Sequence, residues 1–386
     1  MELSIDQKQV LDKILEWYKD KDKNQYITIG GYAGTGKTTL IAKLSQQLKK
    51  DNKKLKIAFC SFTGKATRVL KTKLAESNSI TDKDTISTIH GLIYSPIVNG
   101  KEEIVGWKMK DELETDLIIV DEASMIDMSI WADLKSFKKP IIAVGDHGQL
   151  PPINGNFNLM EKPELKLEVI HRQQRENPII KLSIMTRERG VIPAINYSKG
   201  VKKIRRNSSE ANEVIEEWLG DYDPNTLILC GFNYTRVKLN KYIRSMLGFE
   251  TTEPQVGDRV ICLRNNHTAE IFNGMLGTII SIKDESKNWY EAEIEMDGEK
   301  INYFGLIAKK QFGNSESLNF TEKRSEIMDG DLFDFGYALT VHKAQGSQAK
   351  KVILFEERFS KMDDEMWRRW LYTAVTRAEE ELYIVG

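Results

Sequence analysis

Four apolar runs in the first half of the chain share one plan, each breaking off into glycine or polar residues: Tyr26–Ile29 before Gly30-Gly31, Ile57–Cys60 before Thr63-Gly64-Lys65, Leu117–Val120 before Asp121-Glu122, and Ile141–Val144 before Gly145-Asp146. Unbroken runs of this length suit strands buried on both faces, as in a parallel sheet. Leu40, Ile41, Leu44 and Leu48 recur at helical spacing between them, and Val10, Leu11, Ile14 and Leu15 do so before the first. The alternation predicts an α/β domain over residues 1–170. Later runs, "NTLILC" at 225–230, "KVILF" at 351–355 and "ELYIV" at 381–385, predict a second α/β sheet built from 171–253 and 334–386.

Two segments break this rhythm. "YSPIVNGKEEIVGW" sets Asn99-Gly100 between β-prone residues, the cue for a hairpin over 94–110. Residues 254–333 replace helical spacing with "GDRVICL", "NGMLGTIISI" and "WYEAEIEMDGEKINYF", punctuated by Asn273-Gly274 and Asp297-Gly298. Short strands between such turns predict a small β-barrel.

The strand ends carry the chemistry. Gly31-x4-Gly36-Lys37-Thr38 follows a strand and opens a helix, the context a P-loop requires. In that arrangement the backbone N–H groups around Gly34, Thr35, Gly36 and Thr39 curl about phosphate oxygens, Lys37 adds charge at the β and γ phosphates, and Thr38 offers its hydroxyl to Mg2+. Asp121 and Glu122 close a strand that would end beside this loop. Asp121 is placed to hold the magnesium shell and Glu122 to orient or deprotonate water. ATP and Mg2+ are therefore the expected cofactors.

Composition narrows the partners. Lys+Arg 56 against Asp+Glu 57 leaves a net charge of −1, so a polyanion would need a local basic groove. The run Lys202, Lys203, Arg205, Arg206 reads as a solvated face. The three cysteines, Cys60, Cys230 and Cys262, lie far apart in or beside apolar runs, which suits buried thiols in a reducing compartment. No secretory pattern or membrane-length apolar run is present in the sequence. The expectation is a soluble protein of a bacterial or phage-infected cytoplasm, with no membrane partner.

"GGYAGTGKTT", "SFTGKAT", "TIH" at 88–90, "VDEAS", "VGDHGQLPPI", "HRQ" at 171–173, "TVHKAQGSQ" and "YTAVTRAEEELYIV" occur in the order of the superfamily 1 helicase motifs. The chain resembles their 5′-to-3′ branch, superfamily 1B, which holds the RecD-like and phage Dda-like enzymes. The resemblance runs from Gln7 to Val385. It implies two RecA-like domains, with a strand-separating hairpin in the first and an SH3-like barrel in the second. ATP would lie between the domains, with Arg172 and Arg377 on the γ-phosphate, Gln149 sensing it, and Gly346 and Gln348 near the nucleotide. Gln7 resembles the glutamine that reads adenine; equally, Ser4-x-x-Gln7 is a capping box for the first helix. Thr63, Gly64, Lys65, Thr88, His90 and Pro151, with Thr340, His342 and Lys343, would line a groove for single-stranded DNA. Gln345 is not apportioned between the two ligands.

The resulting expectation is an ATP-dependent 5′-to-3′ DNA helicase, working as a monomer on single strands and at DNA forks. An RNA helicase or a translocase that leaves duplex intact remains an alternative, as does a nucleotide-gated binding module. Intact Lys37, Asp121, Glu122, Arg172 and Arg377 argue against the last. Replication or recombination proteins are partner classes for such a motor, and no residue pattern singles one out.

Overall fold

The computed structural model describes residues 3–98, 104–152, 157–170, 177–266, 269, 271–297, 299, 301–316, 318 and 329–386. The chain divides into two compact units, Met1–Lys181 and Leu182–Gly386.

The first unit runs α1 (Ile5–Lys19), β1 (Tyr26–Gly31), α2 (Lys37–Asp51), β2 (Ile57–Ser61), α3 (Gly64–Glu76), β3 (Thr85–Thr88), α4 (Ile89–Ile93), β4 (Tyr94–Val98), β5 (Ile104–Met109), β6 (Leu117–Asp121), α5 (Met128–Ser136), β7 (Ile141–Gly145) and β8 (Leu165–Leu167). Six strands form one parallel sheet in the order β3-β2-β6-β7-β1-β8. Alternate side chains divide its faces. Ile57, Phe59, Leu117, Ile119, Ile142 and Val144 pack with Val10 and Ile14 of α1, Leu40 and Leu44 of α2 and Leu70 of α3. Ala58, Cys60, Ile118, Val120, Ile141 and Ala143 pack with Ile89 of α4 and Ile130 and Trp131 of α5. The apolar runs are unbroken because both faces are covered.

Each of the four strands extends beyond its apolar run, β1 through both glycines and the others by one residue, to Ser61, Asp121 and Gly145. Ladder bonds are made by the backbone, so pairing continues where polarity changes: Ser61 still pairs with Asp121. This extension places the first polar side chains inside the sheet edge. β4 and β5 form the separate hairpin, whose Asn99-Gly100 tip lies outside the described residues.

α6 (Pro178–Arg189) contains the point of division. The second unit continues with β9 (Asn196–Ser198), β10 (Val201–Ile204), α7 (Ala211–Gly220), β11 (Thr226–Cys230), α8 (Asn233–Met246), β12 (Arg259–Cys262), β13 (Leu276–Asp284), β14 (Trp289–Met296), β15 (Tyr303–Ala308), β16 (Phe333–Phe335), β17 (Ala338–Thr340), β18 (Ala349–Phe355), α9 (Asp364–Val375) and β19 (Ala378–Val385). Its six-stranded sheet, β17-β11-β18-β19-β10-β9, is parallel except for the β9–β10 pair. The inserted segment is a five-stranded antiparallel sheet, β15-β14-β13-β12-β16. A single bridge, Ile307 to Asp331, brings the chain just before β16 against β15.

A polar stripe on α8 holds the insertion at both ends. Arg236 meets Asp334 of β16 at 2.7 Å, and Arg244 makes two bonds to Asp258, just before β12, at 2.7 and 2.9 Å. Between them Asn240 donates to the Ala338 carbonyl and accepts from the Ala338 N–H, pairing with β17 as a neighbouring strand would. Residues 236, 240 and 244 share one helix face.

Candidate functional site

The phosphate loop is shaped by backbone conformations that only glycine adopts freely. Gly34 (φ 81°) and Gly36 (φ 78°) lie in the left-handed region, and Gly36 starts α2 without a side-chain cap. A Cβ at Gly31 would sit 2.7 Å from Thr35 Oγ1 and 3.1 Å from Lys37 Cγ, so the cradle has room for none. Thr35 is buried and donates its hydroxyl to the Tyr32 carbonyl at 2.8 Å, while Thr38 and Thr39 are half-buried in the first turn of α2. Lys37 Nζ donates to the Gly31 carbonyl at 2.8 Å, which folds the cation back over the loop.

Gln7 braces this loop. Its Oε1 accepts from Ser4 N–H at 3.0 Å, closing the capping box of α1, and its Nε2 donates to the Thr35 carbonyl at 2.9 Å. The side chain is fully buried.

Asp121 ends β6 on the sheet face shared with α2. Burial, then the neighbouring Glu122 carboxylate, pushes its carboxyl up to about 6 against the pull of Lys37. Glu122 adopts φ 54°, ψ 38°, a left-handed conformation that is costly for a residue with a Cβ. Its N–H bonds Asp121 Oδ1 at 2.9 Å, while its own Oε2 is buried without a hydrogen-bond partner among the described residues. A hydroxyl at Thr38 and a carboxylate at Asp121 are the hard oxygen donors that suit Mg2+, an ion that takes few protein ligands beside phosphates and waters. No group of three or more His, Cys, Asp or Glu side chains that could hold a metal ion occurs among the described residues.

Asp146, named in the sequence only as a strand-end residue, joins these parts. It is buried, accepts from Gly148 N–H at 2.9 Å and from Gln149 Nε2 at 3.4 Å, and lies 3.8 Å from Lys37 Nζ. Lys37, Asp146 and Gln149 therefore form one connected row.

On the same unit the expected strand-binding residues fall at helix starts. Thr63 caps α3 by accepting from Ala66 N–H at 3.2 Å, and Thr88 caps α4 by accepting from Gly91 N–H at 3.1 Å. Both hydroxyl acceptors are thus engaged within the fold. Gly64 and Lys65 open α3 and are half-buried, as is Pro151. His90 lies between the rings of Phe62 (6.1 Å) and Tyr94 (5.9 Å), and burial lowers its pKa although Asp127 opposes this. Tyr94 bonds Asp133 through its hydroxyl and so ties the hairpin base to α5. Farther along the hairpin Trp107 is partly exposed.

The second unit gathers the rest at the end of β17. Thr340 Oγ1 accepts from Lys343 N–H at 3.4 Å, and its carbonyl accepts from Ala344 N–H at 3.1 Å, curling residues 341–346 into a turn. Burial lowers the pKa of His342. Burial, aided by the charge of Arg236 and opposed by Asp334, brings Lys343 down to about 8. Gly346 (φ 74°) reverses the chain, and Gln348 is exposed. Arg377, 3% exposed, donates to the Ser347 carbonyl at 3.1 Å and the Thr373 carbonyl at 3.0 Å, which binds this turn to the end of α9. Arg172 lies outside the described residues.

Residues 17–155 match the AAA domain, and residues 335–385 match the UvrD-like helicase C-terminal domain. Over its whole length the chain is 26% identical to the ATP-dependent RecD2 DNA helicase of Deinococcus radiodurans. It is 25% identical to the RecBCD enzyme subunit RecD of Buchnera aphidicola subsp. Schizaphis graminum, across 94% of this chain and 70% of that protein.

The chain carries matches to an AAA domain and a UvrD-like helicase C-terminal domain and is similar to RecD-like helicases.

It spans 49% of the length of the Deinococcus relative. Its α/β fold is like that of a Bacteroides Pif1 helicase, determined in complex with ADP-AlF3 and single-stranded DNA, with a TM-score of 0.56 at 19% identity over 100% of this chain and 92% of that one. Along the chain, the phosphate loop, Asp121, Glu122 and the Asp146–Gln149 row fall in the AAA match, while the turn after β17 and Arg377 fall in the helicase C-terminal match. Gln7 precedes the first match and Arg172 lies between the two.

Proposed function

We propose that the chain is an ATP-driven motor that moves 5′-to-3′ along single-stranded DNA and separates duplex at forks. The observation that carries the reading is the row Lys37–Asp146–Gln149 beside buried Asp121 and half-buried Glu122, a constellation suited to phosphoryl transfer. Lys37 exchanges its loop carbonyl for phosphate oxygens, and Asp146 keeps the ammonium aimed at them. Magnesium, when bound with the nucleotide, neutralises phosphate charge; Thr38 and Asp121 would hold it. Glu122, with an acceptor oxygen unengaged among the described residues, takes the proton of the attacking water. Gln149 reads the γ-phosphate and passes its state along Asp146. Arg377, and Arg172 by family likeness, add charge to the transferring group. Gly346 and Gln348 lie near the nucleotide in this scheme.

Thr63, Gly64, Lys65, Thr88, His90, Pro151, Thr340, His342 and Lys343 are proposed to grip the strand. The Thr63 and Thr88 hydroxyls accept from their own helix N–H groups, which leaves each O–H able to donate to a strand phosphate. The ring cluster Phe62, His90 and Tyr94 offers a stacking surface of the kind single-strand binders use. The hairpin is proposed as the strand-separating pin and the five-stranded insertion as the SH3-like element. The preference for DNA rests on relatives such as the RecD2 DNA helicase, and the polarity on the family resemblance of the motifs alone. A cytoplasmic setting suits the three buried free cysteines, and action as a monomer is part of the same proposal.

The deciding experiment compares unwinding of 5′-tailed and 3′-tailed duplexes with ATP and Mg2+. The expected result is unwinding of the 5′-tailed substrate alone; the reverse preference overturns the polarity. Single-strand-stimulated ATP hydrolysis without strand separation would favour a translocase, and nucleotide binding without turnover a gated clamp.

A further inference from the structure

The carboxyl edge of the first sheet buries more oxygen atoms than the roles above use. Ser61, Ser87 and Ser124 all carry side-chain oxygens sealed from solvent and without a hydrogen-bond partner among the described residues. Their positions separate them. Ser87 pairs in register with Cys60 and so belongs to the face covered by α4 and α5, away from the phosphate loop. Ser124 lies in the turn beyond Glu122, its backbone nitrogen against Gly145, where a Cβ would come within 2.9 Å of it. Ser61 is different: it pairs with Asp121 on the adjacent strand and, by the alternation of Ile57 and Phe59, faces the α2 side of the sheet as Asp121 does. Its residue exposure is 0%.

A buried hydroxyl without a partner is unfavourable, and the fold leaves this one beside the carboxylate assigned to magnesium. Asp121 does not satisfy it: Asp121 Oδ1 accepts from Glu122 N–H instead. We propose that Ser61 is a positioning residue of the nucleotide site, its hydroxyl accepting a hydrogen bond from the water shell of the magnesium ion next to Asp121. The proposal rests on the nucleotide-binding reading above. It adds to Thr38 and Asp121 a third polar group, from the end of a strand that is followed by residues proposed to bind nucleic acid. Ser61 thereby stands between two tasks: β2 leads directly into Thr63, Gly64 and Lys65, so the same short segment contacts the ion shell at one end and the DNA groove at the other.

The test uses the full chain and a fluorescent ADP analogue, with binding followed across a Mg2+ series, and thermal melting followed without ligand and with Mg2+ and ADP. Ser61→Ala should melt at or above the wild-type temperature without ligand, because an unsatisfied buried hydroxyl has been removed. It should need roughly 3- to 10-fold more Mg2+ for half-maximal binding, the worth of one hydrogen bond, and should gain less melting temperature from Mg2+ and ADP. Ser61→Cys, which keeps the volume and weakens the acceptor, gives the same readout if the alanine variant does not fold. An unchanged Mg2+ midpoint overturns the proposal and leaves nucleotide binding standing. A lower melting temperature without ligand also overturns it, since the hydroxyl would then have an ordinary structural partner. Wild-type binding indistinguishable from that of Lys37→Ala overturns instead the reading on which the proposal rests.

Discussion

Gln7 Nε2 donates to the Thr35 carbonyl at 2.9 Å, so α1 supports the phosphate loop from 28 residues upstream. The same side chain closes the capping box of α1 through Oε1. Stability and nucleotide affinity are therefore coupled through one amide. Ser4→Ala should remove only the cap, costing about 1 kcal/mol in urea denaturation with ATP affinity unchanged. Gln7→Ala should lower both. Equal ATP affinity in the two variants would show that the brace is irrelevant to the ligand.

Glu122→Gln keeps the shape of the side chain and removes its basicity. Single-strand-stimulated ATP hydrolysis should fall by roughly 10²- to 10⁴-fold, with ATP binding retained. Full activity in this variant assigns the proton acceptor elsewhere.

Asp146→Asn retains a hydrogen-bond acceptor for Gly148 and loses the charge 3.8 Å from Lys37 Nζ. The expected outcome is a small change in ATP binding and a clear loss of turnover, because the lysine remains but its aim is relaxed. Lys37→Ala should lose both. A parallel loss in the two variants, measured by ATP binding and by phosphate release, would reduce Asp146 to a structural turn residue.

Lys343 supplies the pH dependence. Burial penalises its charged form, so the cost to folding is present below pH about 8 and relieved as pH rises through that value towards the ordinary lysine range. The charge proposed to meet strand phosphates is lost over the same rise. Single-stranded DNA affinity, followed by anisotropy at constant ionic strength, should weaken from pH about 7 to about 9. Lys343→Arg should flatten that slope, and an unchanged slope in this variant would place the titration on another group.

Arg244 and Asp258 form a doubly bonded, buried pair. Arg244→Ala should destabilise the second unit by about 3–5 kcal/mol in denaturant unfolding, because it strands a buried carboxylate. A loss below about 1 kcal/mol would mean that water reaches the pair.

Most of the fold was legible because burial on both faces writes a parallel strand as an unbroken apolar run, and the loop Gly31 to Thr38 can hardly be built from other residues. Less visible was how the ends of those strands are used. Asp146 after β7 reads like any polar strand end until Lys37 is found beside it. The hydroxyls of Thr63 and Thr88 suggest ligand contacts in sequence, and the motif does not show that each also accepts from its own helix as a cap. The stripe Arg236, Asn240, Arg244 has helical spacing, but charged residues at that spacing ordinarily mark a solvated face. Its partner Asp334 lies 98 residues from Arg236, a distance no local pattern bridges.

That stripe bears on how such a chain can diversify. The inserted sheet enters at Asp258 and leaves at Asp334, and both points are fastened to α8. A segment anchored at its root is a cassette: its outer strands can be lengthened, trimmed or exchanged through evolution or by design while the strands beneath keep their register. Variants grafted between those two aspartates should fold, whereas grafts that discard either aspartate should not.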